Sequence, residues 1–475
     1  MMRELRVVAI ADADSFVKWS AALLDSIPDA STGSTGAGPD IHRHMLLVST
    51  PLTVSRDQER MALAGTSLGE ASRTRVRFEE VVGWLRGHLP DVVVLAGRGP
   101  FVRLMMRQID RLPNRPVTVS GLPGMSIPAQ RGALEYRRES DLLVVHSHRE
   151  ERAVAALGER LGMPVPSALA TLPYARGASG TSLSQAAVVS AATARVGADA
   201  GAAASSNGNS VALAERTPTG TDLVFAAQAL VPAERSEREA LVEILRRAAA
   251  ARPNRRVVVK LRSRPGEAET HLERDAYAEM LTGSRSNLVL SYEPMALALS
   301  RAEGLVTVSS TAAVEAIARG IPVIALDTFG VSKPLLNTVF IGSGLIGDAD
   351  DVVARRFRHP NPDWMRDNYF HPAGESEWWT RVQELVALRR GGALPAKRVP
   401  VGRGGALHAA WHRKSVLGSE DRSLAGMLAL GVGAPAVRAI VGARRARGRA
   451  GEDTWADAST DYTLEPTPHK DPVRR

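Results

Sequence analysis

Three consecutive hydroxyl residues, Ser309, Ser310 and Thr311, are the densest chemical signal in the chain. They follow an apolar run ending at Val308 and open a helical pattern that stops at Gly320, with Pro322 behind it. Backbone N–H groups at the start of a helix lack intrahelical acceptors, and the helix dipole adds positive charge there. Hydroxyls beside them suit a phosphate. The same residues read equally as ordinary N-caps, for which Ser and Thr are favoured whatever the function. Glu315 either complements the dipole or accepts hydrogen bonds from a ribose diol. Tyr292 and Met295, in the loop before, offer an aromatic ring and a flexible thioether to cover a base, or else a wall residue and a core residue.

The amino-terminal part offers groups that move protons. Asp12 and Asp14 follow the first apolar run, Leu5–Ala11, and a carboxylate at the carboxyl end of a strand can take a proton from an acceptor hydroxyl. Asp14 also reads as the N-cap of a helix starting at Ser15. His146 and His148 end another run at the same edge, as proton-transfer groups or as satisfied structural residues. Glu135, among Arg131, Arg137 and Arg138, is a weaker base candidate. The loop from Ser120 to Met125 carries two glycines that permit close backbone approach. Asp12 and Asp14 have Asp-x-Asp spacing but follow the first strand, a poor match to metal-dependent transferases, so no metal is expected.

These residues need strands to end beside them. Leu5–Ala11, Met45–Ser49, Val92–Ala96, Val117–Ser120 and Leu142–His146 are continuous Val/Leu-rich runs, as strands buried on both faces should be. Helical patterns separate them. The rhythm stops between 176 and 220, where Ala, Gly and Ser dominate, and resumes with Leu223–Ala227, Val257–Leu261, Leu288–Ser291, Leu305–Val308 and Val323–Leu326. The pattern predicts an α/β chain with two Rossmann-like domains facing a cleft. Residues 1–175 form the first domain, 176–220 a flexible linker, 221–390 the second domain with a closing helix, and 391–475 a basic, partly disordered tail.

Composition narrows the chemistry. The 475 residues include no cysteine, which excludes disulfides, thiolate nucleophiles and Cys-ligated metals. The net charge of +9 comes from Lys+Arg 60 against Asp+Glu 51. Residues 391–451 alone hold eleven basic and two acidic residues, a net +9, so the basic character belongs to the tail rather than to the cleft. An apolar stretch followed by an arginine cluster suits an anionic membrane surface or a solvated tail. Two tail tryptophans and no known module give nucleic acid no obvious purchase. No signal peptide is evident, and the expected location is cytoplasmic, peripheral on the inner face of the plasma membrane.

The stretch Ser-Ser-Thr-Ala-Ala-Val-Glu-Ala, followed by Gly-Ile-Pro-Val-Ile-Ala-Leu, resembles the donor-binding half of GT-B glycosyltransferases. It is similar to peptidoglycan N-acetylglucosaminyltransferases and to capsule-polysaccharide, polysialic-acid and CDP-glycerol transferases. The clear match covers roughly residues 223 to 345. The Ala/Arg/Gly-rich chain as a whole resembles an actinobacterial-type glycosyltransferase. The resemblance implies that Ser309, Ser310 and Thr311 meet the pyrophosphate of a nucleotide-sugar, that Glu315 meets the ribose, and that Tyr292 to Met295 lie near the base. It implies a lipid-linked, polysaccharide or small-molecule acceptor, and neither a bound cofactor nor a metal. Where polysialyl and CDP-glycerol types tend to carry Lys-x-His-Pro, this chain has Lys260, Arg262, Arg264 and Pro265, basic groups able to neutralise a departing diphosphate. Of the family's polar sugar contacts, Asp327, Lys333 and Asn337 remain. A nucleotide-sugar 2-epimerase, a polyol-phosphate transferase and a non-catalytic nucleotide-binding scaffold stay open as alternatives.

Overall fold

A computed structural model describes residues 4–28, 40–52, 54–175, 220–229, 231–261, 275–396, 405–429 and 431. The 176–220 linker, except Gly220, lies outside the described residues, as do Arg262, Arg264 and the tail beyond 431.

The apolar runs form two wholly parallel sheets. The first contains β1 (Leu5–Ala11), β2 (Ile41–Val48), β3 (Arg73–Val76), β4 (Val92–Ala96), β5 (Val117–Gly121), β6 (Leu142–Val145) and β7 (Ser167–Leu169). Their order is β3-β2-β1-β4-β5-β6-β7. The second contains β8 (Asp222–Ala226), β9 (Val257–Lys260), β10 (Leu288–Ser291), β11 (Ala302–Thr307), β12 (Val323–Leu326) and β13 (Ile346–Gly347). Their order is β10-β9-β8-β11-β12-β13. Both orders are those of doubly wound sheets, which reverse direction between the first and fourth strands of the unit. Helices cover both faces, which is why β4, with the sequence VVVLA, is buried throughout. The strand β3 escapes an apolar pattern because it lies at an edge. Its Arg73 and Arg75 pair with Glu59 instead of filling a core.

One core layer runs through both halves. Leu143, Val145 and Leu157 of the first half pack in the same cluster as Leu305, Ala313 and Val323 of the second. The 3₁₀ turn Pro173–Ala175 lies against the helix Ala312–Ala318. At this junction Arg149, 3% exposed, donates to the Thr338 and Val339 carbonyls at 3.1 and 3.0 Å. Beside it the Glu150 carboxylate accepts from Ser126 N–H at 2.7 Å, His146 N–H at 2.8 Å and Tyr369 O–H at 2.8 Å. Burial pushes the Glu150 carboxyl above its ordinary range, while these donors pull it back.

One expectation needs correction. The helix Trp378–Arg390 closes the first half, not the second: it crosses back to β5 and β7, and Trp378, Trp379, Val382 and Val386 join the core beneath β1. The physical reason is its tryptophan pair, large apolar surface that the first sheet leaves uncovered on that face. Arg389 secures the crossing on Asp91 at 3.0 Å. The tail is not uniformly detached. Helix Gly405–Leu417 packs on the helix Gly99–Ile109, with Val416 and Leu417 in the core on the other face of the first sheet. No helix among the described residues is long and apolar enough to cross a membrane.

Because Trp378 is only 2% exposed, Trp378→Ala should cost about 3–5 kcal/mol in urea unfolding. Leu388→Ala, on the same helix but 45% exposed, should change it by less than about 0.5 kcal/mol. Equal effects would show that the helix does not close the first half's core.

Candidate active site

The carboxyl edges of the two sheets face each other. Past the end of β5, Gly124 sits so close to Thr311 that an added Cβ would lie 2.7 Å from Thr311 Oγ1. Glycine at that position lets the halves approach. Thr311 Oγ1 makes no hydrogen bond among the described residues, so it is a hydroxyl presented to the first half.

Doubly wound sheets bind ligands where the strand order reverses, because adjacent connections there leave in opposite directions and open a crevice. In the second sheet that point lies between β8 and β11. Gln228, two residues past β8, accepts from Ser309 N–H at 2.9 Å and donates its amide to Ser309 Oγ at 3.1 Å. Ser309 is thus 6% exposed and already paired. Ser310 Oγ accepts from Ala312 N–H at 3.2 Å, and Ser310 N–H donates to Thr307 Oγ1 at 2.9 Å. The N-cap is Thr311, whose side chain caps nothing, while Ser310, one residue earlier, satisfies the first helical N–H, so the three hydroxyls are not equivalent. Gln228 has no motif to announce it. Its signal is a long amide just beyond a strand that becomes the neighbour of the hydroxyl run only after folding.

In the first sheet the reversal lies between β1 and β4, which pair in register from Val7 opposite Val92 to Ala11 opposite Ala96. The residue after β1 is Asp12, 2% exposed, and neither carboxylate oxygen has a hydrogen-bond partner. Its Oδ1 lies 3.1 Å from where a Cβ on Gly97 would stand. Burial drives its pKa from 3.8 up to about 7, against the lowering effect of the Arg98 guanidinium and of its own backbone N–H. A carboxylate left open at a strand switch, titrating near neutrality, is the arrangement expected of a general base.

The other sequence candidates are distributed differently. Asp14 is not the N-cap; Ala13 occupies that position and Asp14 is the first helical residue of Asp14–Asp25, half-buried. A strand-to-helix turn one residue tighter than the sequence suggests accounts for the shift. His146 is fully buried, with Trp19 Nε1 donating to its Nε2 at 2.7 Å and its Nδ1 meeting the Ala170 carbonyl at 2.8 Å. Its ring therefore fixes the end of β6 and is not available as a base. His148 pairs with Glu375 at 2.6 Å. Glu315 forms an ion pair with Arg319 at 3.1 Å. Tyr292 packs against the core on one face of the second sheet and Met295 against the core on the other, so they do not close over one base. Lys260 is buried at the end of β9 and donates to the Leu261 carbonyl. Lys333 is half-buried in the loop after β12, and Asn337 fixes that loop by bonds of 2.9 Å to Ser332 N–H and the Gly330 carbonyl. Burial and the neighbouring Asp348 raise the Asp327 carboxyl above its ordinary value. Among the described residues no three His, Asp or Glu gather as a metal cluster.

Two parallel α/β sheets, whose loops approach at Gly124 and Thr311, form the two-domain fold of the GT-B class. Residues 7–385 match the family model described as "Putative glycosyltransferase (DUF6716)", and the chain belongs to that family. No curated protein matches it. Among solved structures it is similar to a UDP-GlcNAc 2-epimerase from Methanocaldococcus jannaschii, at 12% identity and a TM-score of 0.47, over 80% of this chain and 99% of that one. It is similar to apo UGT2 of Phytolacca americana at 12% identity and a TM-score of 0.42, over 88% and 100%. Spinosyn forosaminyltransferase SpnP shares 15% identity at a TM-score of 0.39, over 81% and 100%. Likeness at this level says nothing of the chemistry of this chain.

The native state binds the Asp12 proton more tightly than the unfolded chain does. Stability should therefore fall as pH rises from about 4 to about 7, with the full cost present above pH 7. Asp12→Asn should accordingly be more stable than the parent at pH 8, by about 2–4 kcal/mol, and close to it at pH 4. Chemical denaturation at both pH values checks this, and a pH-independent difference would contradict the open carboxyl.

Proposed function

We propose that the protein transfers a sugar from a nucleotide-sugar donor to a hydroxyl of an envelope polysaccharide, a glycolipid or a small molecule. Asp12 carries this reading. The acceptor hydroxyl would give its proton to the Asp12 carboxylate as its oxygen bonds to the anomeric carbon. The bond from that carbon to the donor's diphosphate breaks, and the nucleoside diphosphate leaves with the electron pair. An oxygen that attacks as it is deprotonated needs a base near neutral pKa, held away from competing donors, and Asp12 meets both requirements.

On the donor side, the Thr311 hydroxyl and the neighbouring backbone N–H groups would meet the diphosphate. Gln228 would hold Ser309 in place behind them. Lys260 and, by their place in the sequence, Arg262 and Arg264 would add positive charge, with Lys333 further along the same edge. Glu315 would reach a ribose by exchanging Arg319 for the diol. In this reading the leaving charge is met by protein groups without a metal ion.

The test separates binding from chemistry. UDP, GDP, CDP and CMP, with the corresponding sugars, are screened by thermal shift, and the best ligand is followed by calorimetry. Ser310→Ala/Thr311→Ala should weaken it by about 1–3 kcal/mol. Asp12→Asn should leave it unchanged while lowering turnover by about 10²-fold or more, and the parent's rate should rise with pH through about 7. A flat nucleotide panel would favour the non-catalytic scaffold.

The acceptor reading extends to the membrane. Leu424, Met427 and Leu428 are 73%, 50% and 69% exposed on one side of the helical segment 424–429, whereas Gly426 and Ala429 face inward. Arg422 stands beside them, and no acid occurs between it and Glu452. Large apolar residues turned outward beside basic ones suit an anionic bilayer. Replacing Leu424, Met427 and Leu428 together by Ser should abolish sedimentation with phosphatidylglycerol vesicles; retained sedimentation would refute this surface.

A further inference from the structure

The crevice between β1 and β4 holds more positive charge than Asp12 can answer. Arg98, two residues past β4, is half-buried; its Nε is enclosed, and its side chain makes no hydrogen bond or ion pair among the described residues. It lies near enough to lower the pKa of Asp12, yet neither Asp12 oxygen has it as a partner. Behind the same loop, Arg137 is 2% exposed and donates to the Gly97 carbonyl at 2.8 Å. Arg137 has no carboxylate partner among the described residues, and burial lowers its pKa only to about 10, so it stays charged at neutral pH. The helix Gly99–Ile109 begins at this point, eleven residues long, with Arg98 as N-cap and no side chain capping its first N–H groups. Two guanidinium groups, an uncapped helix start and an unpartnered buried carboxylate thus meet around Gly97.

Buried charge without a counter-charge is costly, and the cost is tolerated where a ligand supplies the missing partner. An ion pair between Arg98 and Asp12 would have been the inexpensive solution. Its absence leaves Asp12 to accept from a hydroxyl and Arg98 to donate to an anion. We propose that the acceptor is an anionic alcohol, bearing a phosphate or carboxylate a few atoms from its reactive hydroxyl. The anion is held by Arg98 and the Gly99 and Phe101 N–H groups of helix Gly99–Ile109, since Pro100 has none and Val102 N–H already meets the Arg98 carbonyl, with Arg137 reinforcing the potential from behind. The hydroxyl is thereby placed on Asp12. This rests on the transferase reading only in taking Asp12's partner to be a hydroxyl.

The probes are glycerol 3-phosphate, glycerate, inorganic phosphate and glycerol, titrated by calorimetry into the full-length protein. Nucleoside diphosphate affinity is measured alongside. The three anions should bind and glycerol should not. Binding by glycerol 3-phosphate alone among them makes the anion a phosphate, and by glycerate alone a carboxylate. Arg98→Ala should weaken the anions at least tenfold while nucleoside diphosphate affinity and the melting temperature stay as in the parent, and Arg98→Lys should restore part of the binding. Failure of all three anions to bind, or equal binding of glycerol, would overturn the proposal. An Arg98→Ala loss shared equally with the nucleoside diphosphate would assign this arginine to the donor and also overturn it. If no nucleotide binds, the transferase reading fails separately, because the anion arm is read without any nucleotide present.

Discussion

A single buried carboxylate holds the two halves in register. Glu150 collects the Ser126 amide from the loop after β5, the His146 amide from the end of β6, and the Tyr369 hydroxyl from the segment that leads back out of the second half. Each of these donors would otherwise be buried without an acceptor, and an ionised carboxylate alone at that depth would be as costly. The three donors and the acid are therefore mutually dependent. Their arrangement sets which way the carboxyl edges face, and the positions of Gly124 and Thr311 follow from it. Arg149, one residue earlier on the same helix, anchors the second half through two main-chain carbonyls, so two neighbouring residues act on both sides of the junction.

The sequence made the strands legible wherever burial on both faces forced continuous apolar runs. Leu5–Ala11 and Val92–Ala96 have the bounds that the pattern predicts. Where that force is absent, the signal is absent too: β3 is an edge strand of arginine and threonine, and β13 has two residues. The hydroxyl run after β11 stood out because its residues are adjacent in the chain. Gln228 did not, nor did Arg98, because their meaning depends on β8 lying beside β11 and β1 beside β4. Strand order is a property of the crossovers, and no single segment encodes it. Trp378 and Trp379 carry a large apolar surface in any setting, but the direction in which they bury it is decided by which sheet has an uncovered face.

Asp12 and His146 show how environment divides similar candidates. Both stand at carboxyl ends of strands in the first sheet, and both are almost wholly enclosed. The imidazole has an indole donor on one nitrogen and a carbonyl on the other, so its proton is committed. The carboxylate has no donor on either oxygen and is cut off from water, so it keeps its proton up to about neutral pH and can exchange it there. Proximity to the cleft alone would have ranked them together. Hydrogen-bond satisfaction separates them, and it favours the group that the fold leaves incomplete.

The return of the chain to the first sheet also determines the order in which the protein can be completed. The core beneath β1 includes Val382 and Val386, and the opposite face includes Val416 and Leu417. A ribosome releases all of these after the entire second sheet. The half that is synthesised first must therefore wait, with apolar surface uncovered on both faces, until the half synthesised second is already out. Domains usually fold as they emerge, amino-terminal first. Here the carboxyl-terminal sheet has every strand it needs in one uninterrupted stretch and can consolidate earlier. The first half is finished last, and its apolar faces stay uncovered during that interval.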